Sequence, residues 1–459
     1  MSRLSIDAVE ADGTTLGATV SARGGMERFV SAEPFRVNYD RSIEGVPESI
    51  LVVPVLAQVL PVAWARGATV EAPVVDATFA ESVSKAGEAL LDMHDFLEGG
   101  RLVARTVEPD PPDAPDRPSE STTADESETG SETEPVEASG NAGLLFTGGV
   151  DSTASYVAHR DEDPTLISVR GWTITPAPSD DEKWDALRRR VETFARERGL
   201  ETAFVESNVL EFLDHPMLLA HYKRHVDGAW YSSVGHGLGL TGLCAPLAYA
   251  SGLSDLYVAA THWDGVDLAW GSHPRIENAV AWTGTRCHHD GYDRTRQERI
   301  DAIADYVAET DDALELQTCN DRTDGNCGAC EKCYRTAVGL RLAGLDPTDH
   351  GYSFTERDYE TIRRGFERGR WVLGQDERYM WADIRDRVGE TTPRSATERA
   401  FFEWLADADL DDLVDDATPP LTHRLLRAGA RHTPTALYRR LYPVWRRANA
   451  IGDLTDSAR

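Results

Sequence analysis

The chain has 459 residues, of which 41% are hydrophobic, and a formal net charge of −31. This length predicts two or three domains with a sizeable core. The longest apolar run, residues 50–65, is too short to span a bilayer and contains Pro54, Gln58 and Pro61, which argues against a transmembrane helix. Four of the six cysteines lie between Cys319 and Cys333, a crowding typical of a metal site rather than of a disulfide framework.

The net charge reflects an excess of acids and very little lysine, which occurs only at Lys85, Lys183, Lys223 and Lys332. Such a surface holds water and cations, and molar salt screens its self-repulsion. The composition therefore predicts a cytoplasmic protein of a halophile, with an acidic mesophilic protein as the alternative. We expect no signal peptide, because the first ten residues lack an apolar core.

Two different segments precede residue 141. Residues 1–105 alternate strand-like runs such as RLSIDAVEA with helix-like runs, which predicts a small N-terminal α/β domain. Residues 106–140 contain eleven acids, one arginine and almost nothing large and apolar. Because this segment cannot bury enough apolar surface to offset the entropy of ordering, we expect an acidic disordered linker.

From residue 141 onward strand-like and helix-like runs alternate, as in an open, mainly parallel α/β sheet with helices on both faces. The predicted strands are LLFTG (144–148), TLISVRGW (165–172), ETAFVES (201–207), DLYVAAT (255–261) and LELQTC (314–319). The predicted helices are TASYVAHR (153–160), WDALRRRVETFARERG (184–199), HGLGLTGLCAPLAYASG (236–252) and TRQERIDAIADYVAE (295–309). We expect one domain over residues 141–346 and a helical extension over residues 347–459.

A short polar loop, TGGVDS at residues 147–152, joins the first of these strands to a helix. Its glycines let the backbone approach a ligand, and the first N–H groups of a helix have no internal partner, so the loop predicts an anion site. Thr147, Ser152 and Thr153 add hydroxyl donors, and Asp151 can orient the loop or hold Mg²⁺. The alternative is a glycine-rich turn capped by Ser and Asp.

This loop resembles the PP-loop of the ATP pyrophosphatase superfamily, whose usual form is SGGxDS; threonine here replaces the first serine and keeps its hydroxyl. The resemblance implies an adenine nucleotide alpha hydrolase-like fold and cleavage of ATP between its α and β phosphates. AMP then goes onto a substrate oxygen, and an amine or sulfur nucleophile displaces it. The resemblance implies that Asp151 and Ser152 act in catalysis. It also implies that the nucleotide is held by the loop and the end of the next strand, at Thr147, Gly148, Gly149, Val150, Asp151, Ser152, Thr153, Val169 and Trp172.

A second element supports the same resemblance. TRQE, residues 295–298, is similar to a T-K-x-E element whose base reaches the ATP phosphates. Arg296 would then replace the lysine as a catalytic cation. The alternative is a solvated charge on a helix.

The cysteine cluster CNDRTDGNCGACEKC has the spacing C-x7-C-x2-C-x2-C. Its four thiols belong to Cys319, Cys327, Cys330 and Cys333. Four thiolates at this spacing close a tetrahedron around Zn²⁺ and leave no open coordination position, so we expect structural zinc, with an iron–sulfur cluster as the alternative.

A PP-loop followed about 170 residues later by such a knuckle is similar to the 7-cyano-7-deazaguanine synthase family. The similarity covers about residues 141–346 and includes the tail CGACEKCYRTAVGL. It implies Mg-ATP, structural zinc and attack of ammonia on an adenylated carboxylate. The G-Y-P-D-C-R stretch of that family is replaced here by GSHPRIENAV, residues 271–280, and an Arg-Asn pair expected before the central helix is missing. We therefore expect a related branch with a different acceptor.

Two polar motifs have both a functional and a plain structural interpretation. HWDGVD supplies His262, Asp264 and Asp267 as a substrate or Mg²⁺ rim, or forms a solvated loop. RCHHDGYD is expected to follow a strand, where His288 or Asp290 handles protons or simply ends the strand.

Three further motifs favour packing. GLGLTG, residues 237–242, matches GxGxxG but lacks the βαβ unit of a dinucleotide site, so it predicts the start of a helix. Cys244 falls in an apolar helix. Cys287 packs as a small hydrophobe, or carries a persulfide if the protein transfers sulfur.

The end of the chain is rich in arginine, with seven arginines and no acid over residues 422–450. Its interleaved arginines and aromatics suit RNA or an anionic membrane, and the alternative is pairing with the acidic surface of the chain itself.

Together these features predict an AMP-forming, ATP-dependent carbon–nitrogen ligase that uses ATP, Mg²⁺ and structural Zn²⁺ and acts on a small-molecule or nucleobase-like acceptor. One alternative is an RNA-thiolating relative, which needs a reactive cysteine outside the knuckle. The other is a nucleotide-binding module without turnover.

Overall fold

The computed structural model describes residues 2–111 and 141–410, apart from 224, 227, 228, 320, 321, 323, 324 and 372, together with 413, 434, 437, 440 and 441. Eleven strands of these residues form one sheet. The strands are β1 (Arg3–Asp12), β2 (Thr15–Arg23), β3 (Phe35–Tyr39), β4 (Thr69–Asp76), β5 (Arg101–Val107), β6 (Asn141–Leu145), β7 (Thr165–Arg170), β8 (Thr202–Ser207), β9 (Leu253–Ala259), β10 (Ala281–Trp282) and β11 (Thr285–Asp290).

The sheet is mixed but mostly parallel, with the order β10-β11-β9-β6-β7-β8-β3-β2-β1-β4-β5. The run from β11 to β8 is parallel throughout, as are the pairs β1–β4 and β4–β5. The pairs formed by β2 and β3, and the β10–β11 pair, are antiparallel. The predicted α/β class with a mainly parallel sheet is thus confirmed.

The strands before residue 106 and those after residue 141 belong to the same sheet. They meet where β3 pairs antiparallel with β8, in the register Val37 with Ser207 and Tyr39 with Val205. Asn208 strengthens this junction, because its amide donates to Pro34 O at 2.9 Å and its side-chain oxygen accepts from the N–H of Arg36 at 2.8 Å. The predicted N-terminal α/β elements therefore extend the central sheet, and residues 112–140 of the predicted linker lie outside the described residues.

Helices cover both faces of the sheet. They are α1 (Glu48–Leu51), α2 (Val53–Trp64), α3 (Ala77–Met93), α4 (Val150–His159), α5 (Asp181–Arg198), α6 (Val209–Phe212), α7 (His215–Tyr222), α8 (His236–Leu243), α9 (Ala245–Ala250), α10 (Pro274–Glu277), α11 (Arg296–Thr310), α12 (Glu331–Leu342), α13 (Glu356–Glu367), α14 (Gln375–Arg387) and α15 (Ala396–Asp407). Successive residues of β6 show the two faces: Leu144 packs with α4, α5 and α11, whereas Leu145 packs with α2, α8 and α9.

Two predictions of secondary structure are wrong. The segment 314–319 is not a strand, although Leu314 and Leu316 alternate inward as a strand would. Its N–H groups bond to loops instead of a ladder, with Leu316 N donating to His350 O at 3.2 Å and Gln317 N to Gly148 O at 2.7 Å. RCHHDGYD does not follow a strand, because its first five residues lie within β11.

The predicted helix at 236–252 is divided at Cys244 into α8 and α9, and Pro246 lies in the first turn of α9. The GxGxxG match lies inside α8, where its glycines permit close packing. A methyl group at Gly237 would lie 2.4 Å from Glu277 Oε1, and one at Gly242 would lie 2.3 Å from the Cβ of Ala57 on α2. The pattern therefore reflects helix packing rather than a dinucleotide loop.

We predict that Gly242→Ala lowers the free energy of unfolding by about 1–3 kcal/mol, because α2 and α8 must separate to admit the methyl group. The change is measured by denaturant unfolding in molar KCl. Gly17→Ala is the matched control, since no atom lies within 4 Å of the added methyl group there. Equal effects of the two substitutions would contradict the close contact of α2 with α8.

Three helices, α13, α14 and α15, follow residue 347 among the described residues, and α15 contacts α12 through a buried ion pair. Glu398 of α15 is buried and accepts from Arg341 Nε of α12 at 2.9 Å and from Tyr359 Oη of α13 at 2.6 Å. Most of the arginine-rich segment 422–450 lies outside the described residues. Among the helices that are described, none has the length and apolar character needed to cross a membrane.

Candidate functional site

The loop after β6 has the geometry that its sequence predicts. Gly148 has φ of +76°, a value that favours glycine, and a methyl group there would lie 3.2 Å from Arg190 Nε. Gly149 then caps α4 with extended backbone, and its carbonyl accepts from Thr153 N at 2.9 Å. The N–H groups of the first turn of α4 are left without intrahelical partners, as an anion site requires.

The loop hydroxyls have different roles. Thr147 is exposed in the cleft above the loop, and Ser152 donates to Gly149 O at 3.3 Å while its hydroxyl oxygen lies 3.4 Å from Thr147 N. Thr153 is fully buried, its hydroxyl has no hydrogen-bond partner among the described residues, and it does not line the cleft. The hydroxyl of Thr153, predicted as a ligand donor, is thus turned away from the place where a ligand would bind.

The loop forms one end of a cleft of about 400 Å³, and the other end is apolar. Val169 near the end of β7 and Trp172 just after it line that end together with Leu240 and Tyr231. The rings of Trp172 and Tyr231 stack with centroids 4.1 Å apart and planes 23° apart. Tyr231 opens a single π-helical turn, Tyr231–Gly235, of the kind often found at functional sites. The cleft thus offers flat apolar walls at one end and donors at the other.

The cleft is basic although the chain is strongly acidic. Five cations line it, and two of the four lysines of the chain are among them: Lys183, Arg190, Arg296, Arg322 and Lys332. Asp151 is the single acid among the described residues of its wall. Such a concentration of cations around a glycine loop favours a multiply charged anion.

Asp151 lies between two buried arginines. Arg296 Nη1 donates to both of its carboxylate oxygens, at 2.9 and 2.7 Å, and Arg299 Nη1 donates to Oδ1 at 2.9 Å. Burial opposes ionisation of Asp151, but Arg296 and Arg299 hold the pKa of its carboxyl below the usual range. The carboxylate therefore remains charged and fixes the Arg296 guanidinium at the cleft.

The TRQE element explains how Arg296 reaches this position. Thr295 and Glu298 form a capping box that begins α11 at Arg296. Arg299, one turn further on, donates to His262 O at 2.6 Å and to Gly291 O at 3.0 Å, which anchors the helix to the ends of β9 and β11. The interpretation of Arg296 as a merely solvated charge does not fit, because the side chain is buried and paired.

Lys332 approaches the cleft from a different element, α12. It lies between the cysteines at 330 and 333, and among the described residues no carboxylate lies within ion-pair distance of its ammonium group. An unpaired cation beside Arg296 leaves charge that an incoming anion can neutralise.

The four cysteines of the knuckle come together. Their sulfurs all lie within 4.8 Å of one another, and Cys327 Sγ and Cys333 Sγ are 3.8 Å apart. A tetrahedral ion with metal–sulfur bonds of about 2.3 Å places its ligands about 3.8 Å apart. Among the described residues this is the one group of three or more metal-ligating side chains, and its geometry fits a single tetrahedral ion.

The other polar motifs lie beside the cleft. In HWDGVD, Asp264 and Asp267 are exposed and do not line it, as expected of a solvated loop. His288 pairs with Asp255 at 2.7 Å on the surface of β11 and β9. Cys287 packs in the core, where burial raises the pKa of its thiol well above the usual range. That thiol is therefore not poised to carry a persulfide.

Asp290 is held by partners from α4 rather than by a ligand. Ser155 Oγ donates to it at 2.5 Å and His159 Nε2 lies 3.0 Å away, while His159 Nδ1 lies 2.7 Å from Glu162. Burial opposes both charges, yet the hydrogen bonds between them lower the pKa of Asp290 and raise the pKa of His159. The pair is thus a charged link between β11 and α4.

We predict that His159→Gln lowers the free energy of unfolding by about 1 kcal/mol or less, and most strongly between about pH 4 and pH 6.5. The raised pKa of His159 gives stability that is complete below its unfolded value and is lost as the pH rises through its folded value. The lowered pKa of Asp290 gives stability that is lost as the pH falls. Denaturant unfolding at several pH values measures the difference, and a difference independent of pH would contradict the charged link.

Sequence reasoning missed a buried imidazole cluster next to the cleft. Glu277 is fully buried and accepts from His273 N at 2.7 Å, and His289 Nδ1 lies 3.6 Å from it. Burial and the neighbouring histidines lower the pKa of His236 to about 4, although Glu277 opposes that shift. His236 lines the cleft as a neutral side chain. The sequence signal for this cluster is the GSHP element at residues 271–274, which supplies His273.

Sequence reasoning also missed four of the cleft cations: Lys183, Arg190, Arg322 and Lys332. For the two lysines a signal was available, since lysine is so rare in this chain that each one invites explanation.

In comparisons with protein-family models, curated proteins and solved structures, nothing matches the chain.

Proposed function

We propose that the chain is an AMP-forming ATP pyrophosphatase of the PP-loop kind, a carbon–nitrogen ligase similar to the 7-cyano-7-deazaguanine synthases but with an acceptor of its own. The observation that carries the proposal is the basic cleft. It joins a glycine loop at a helix N-terminus to five cationic side chains in a chain of net charge −31.

The two ends of the cleft suit the two ends of ATP. The triphosphate would bind the loop, Arg190, Arg296 and Lys332, and the adenine would lie between the apolar residues near Val169 and Trp172. The volume of about 400 Å³ lies within the usual range for a small-molecule site. Asp151 is the carboxylate that would hold Mg²⁺, and the ion would supply neutralisation of the departing pyrophosphate.

In the proposed reaction an acceptor oxygen, on a carboxylate, attacks the α-phosphorus and the bond to the pyrophosphate oxygen breaks. Fixed cations stabilise the charge that builds up on pyrophosphate, and the loop holds the reacting atoms in place. Ammonia or an amine then attacks the activated carbonyl carbon and AMP leaves. The cysteine cluster would hold Zn²⁺ in a structural role, because its four thiolates fill the coordination sphere.

The RNA-thiolating alternative needs a reactive cysteine outside the knuckle. The only two cysteines there, Cys244 and Cys287, are both buried in the core, and burial raises the pKa of each thiol. A buried thiol that resists ionisation is a poor sulfur carrier, which favours the ligase.

The test uses the full chain in molar KCl, loaded with zinc and incubated with Mg-ATP, ammonium and small carboxylates including 7-carboxy-7-deazaguanine. AMP, ADP and pyrophosphate are quantified, and ATP affinity is measured separately by calorimetry. We expect AMP and pyrophosphate in equal amounts that depend on one acceptor. ATP binding without AMP would favour the module without turnover, and a failure to bind ATP would overturn the proposal.

A further inference from the structure

The cysteine cluster borders the cleft rather than lying apart from it. Gln317, Thr318 and Cys319, which lead into the cluster, line the cleft, and so does Lys332, which stands between two of the cysteines. A metal bound by these thiolates would therefore hold part of the cleft wall.

A direct contact joins the cluster segment to the glycine loop. Gln317 N donates to Gly148 O at 2.7 Å, and a methyl group at Gly149 would lie 3.7 Å from Gln317 O. Asn326 closes the segment, because its side-chain oxygen accepts from Thr318 N at 3.0 Å and from Cys319 N at 3.2 Å. The backbone that leads to Cys319 is thus fixed between the cluster and the loop.

Lys332 is placed by the same cluster. It lies in the first turn of α12, with Cys330 as the residue that caps the helix and Cys333 as the next residue. Thiolate bonds at 330 and 333 therefore fix the backbone on both sides of the lysine. Within the described part of the chain its ammonium group has no carboxylate partner, so an anion in the cleft is left to neutralise it.

We propose that metal occupancy of the cysteine cluster and ATP binding in the cleft are thermodynamically linked through Lys332 and the Gln317–Gly148 contact. The linkage rests on the proposed nucleotide binding. With the metal bound, the cation and the loop contact are already in position, so ATP does not have to order them. By reciprocity, ATP tightens metal binding by the same factor.

The direction in which zinc changes the affinity for ATP distinguishes this linkage from simple electrostatic repulsion. A zinc ion with four thiolates carries a net charge of −2 and would repel ATP, so a purely electrostatic effect would make the two ligands oppose each other. In molar salt that repulsion is screened within about 3 Å. A mutual increase in affinity therefore reports the ordering of the cleft wall.

The test measures zinc affinity of the full chain by chelator competition, with and without α,β-methylene ATP, an analogue that cannot be cleaved between the α and β phosphates. We expect the analogue to raise zinc affinity by about 10-fold, within the usual range for coupled sites. Calorimetry with the analogue on zinc-loaded and metal-free protein should give the same factor in the other direction.

Two lysine variants locate the linkage. Lys332→Gln and Lys183→Gln each remove one cleft cation, but Lys183 lies on α5, outside the cysteine segment. Both substitutions should lower the affinity for the analogue, whereas only Lys332→Gln should reduce the coupling factor between zinc and the analogue toward one. Near-UV circular dichroism checks that the variants fold.

The outcomes distinguish the two proposals. Zinc-loaded protein that does not bind the analogue would overturn the proposed function. Protein that binds the analogue with a coupling factor of one or less would overturn the linkage while the proposed function stands. If the Lys332→Gln variant kept the full coupling factor between zinc and the analogue, the role given to this lysine would be overturned.

Discussion

Asp151→Asn is expected to lower the rate of AMP formation by about 10²- to 10³-fold, the range seen when one fixed electrostatic group is removed from a transition state. Asp151 accepts three hydrogen bonds from Arg296 and Arg299. A neutral amide cannot balance two adjacent guanidinium groups, so Arg296 would leave the position from which, in the proposed function, it would contact the phosphates. Loss of the carboxylate would also remove the group that we assign to Mg²⁺.

The rate is measured by chromatography of AMP at saturating ATP, after thermal unfolding has shown that the variant is folded at the assay temperature. Asp264→Asn is the control, because it removes the same charge from an exposed loop that does not line the cleft. We expect this control to keep its rate within about twofold, since exposed charges contribute little in molar salt. Equal losses in the two variants would contradict the role of Asp151.

Glu398→Ala is expected to lower the free energy of unfolding by about 3–5 kcal/mol, because it leaves a buried guanidinium without its counter-charge. Arg341 is buried and donates to both oxygens of Glu398, at 2.9 and 3.2 Å, and Tyr359 donates to it at 2.6 Å. Three helices meet at this carboxylate: α12, which carries Arg341, α13, which carries Tyr359, and α15, which carries Glu398 itself. The loss should therefore appear in the unfolding of the whole chain.

Denaturant unfolding in molar KCl measures this effect. Glu367→Ala is the matched control, since Glu367 pairs with Arg363 one turn away at 2.8 Å but both side chains are exposed. An exposed pair of this kind contributes about 0.5 kcal/mol or less. A separate early transition confined to the C-terminal helices would show that the extension unfolds independently, contrary to the prediction.

The sequence predicted those parts of the site that are local in the chain. The loop at 147–152 could be predicted because a strand, two glycines and a helix start are consecutive, and the geometry of Gly148 follows from residues next to it. The thiol cluster could be predicted because three of its four cysteines lie within seven residues. Spacing alone determines which side chains can meet in such cases.

Other parts depend on contacts between distant segments. Arg190 lies in a helix that the sequence predicts, and Lys332 lies in α12, which the sequence analysis did not predict. Only the packing of α5 and α12 turns the two cations toward one cleft. The segment 314–319 is a second case in which contacts between distant segments decide the structure. Its alternating leucines correctly indicate burial, but the partners of its backbone are the loops at Gly148 and His350, which no periodicity identifies.

The antiparallel junction of β3 with β8 determines when the N-terminal strands can be completed during synthesis. Residues 35–39 leave the ribosome about 170 residues before Ser207, their last partner. At about 5–20 residues per second, the edge of β3 stays open for roughly ten to thirty seconds. An open strand edge is a template for pairing with other chains. In this interval the nascent chain therefore exposes a strand edge that can pair with other chains, and a chaperone that covers β3 would act then.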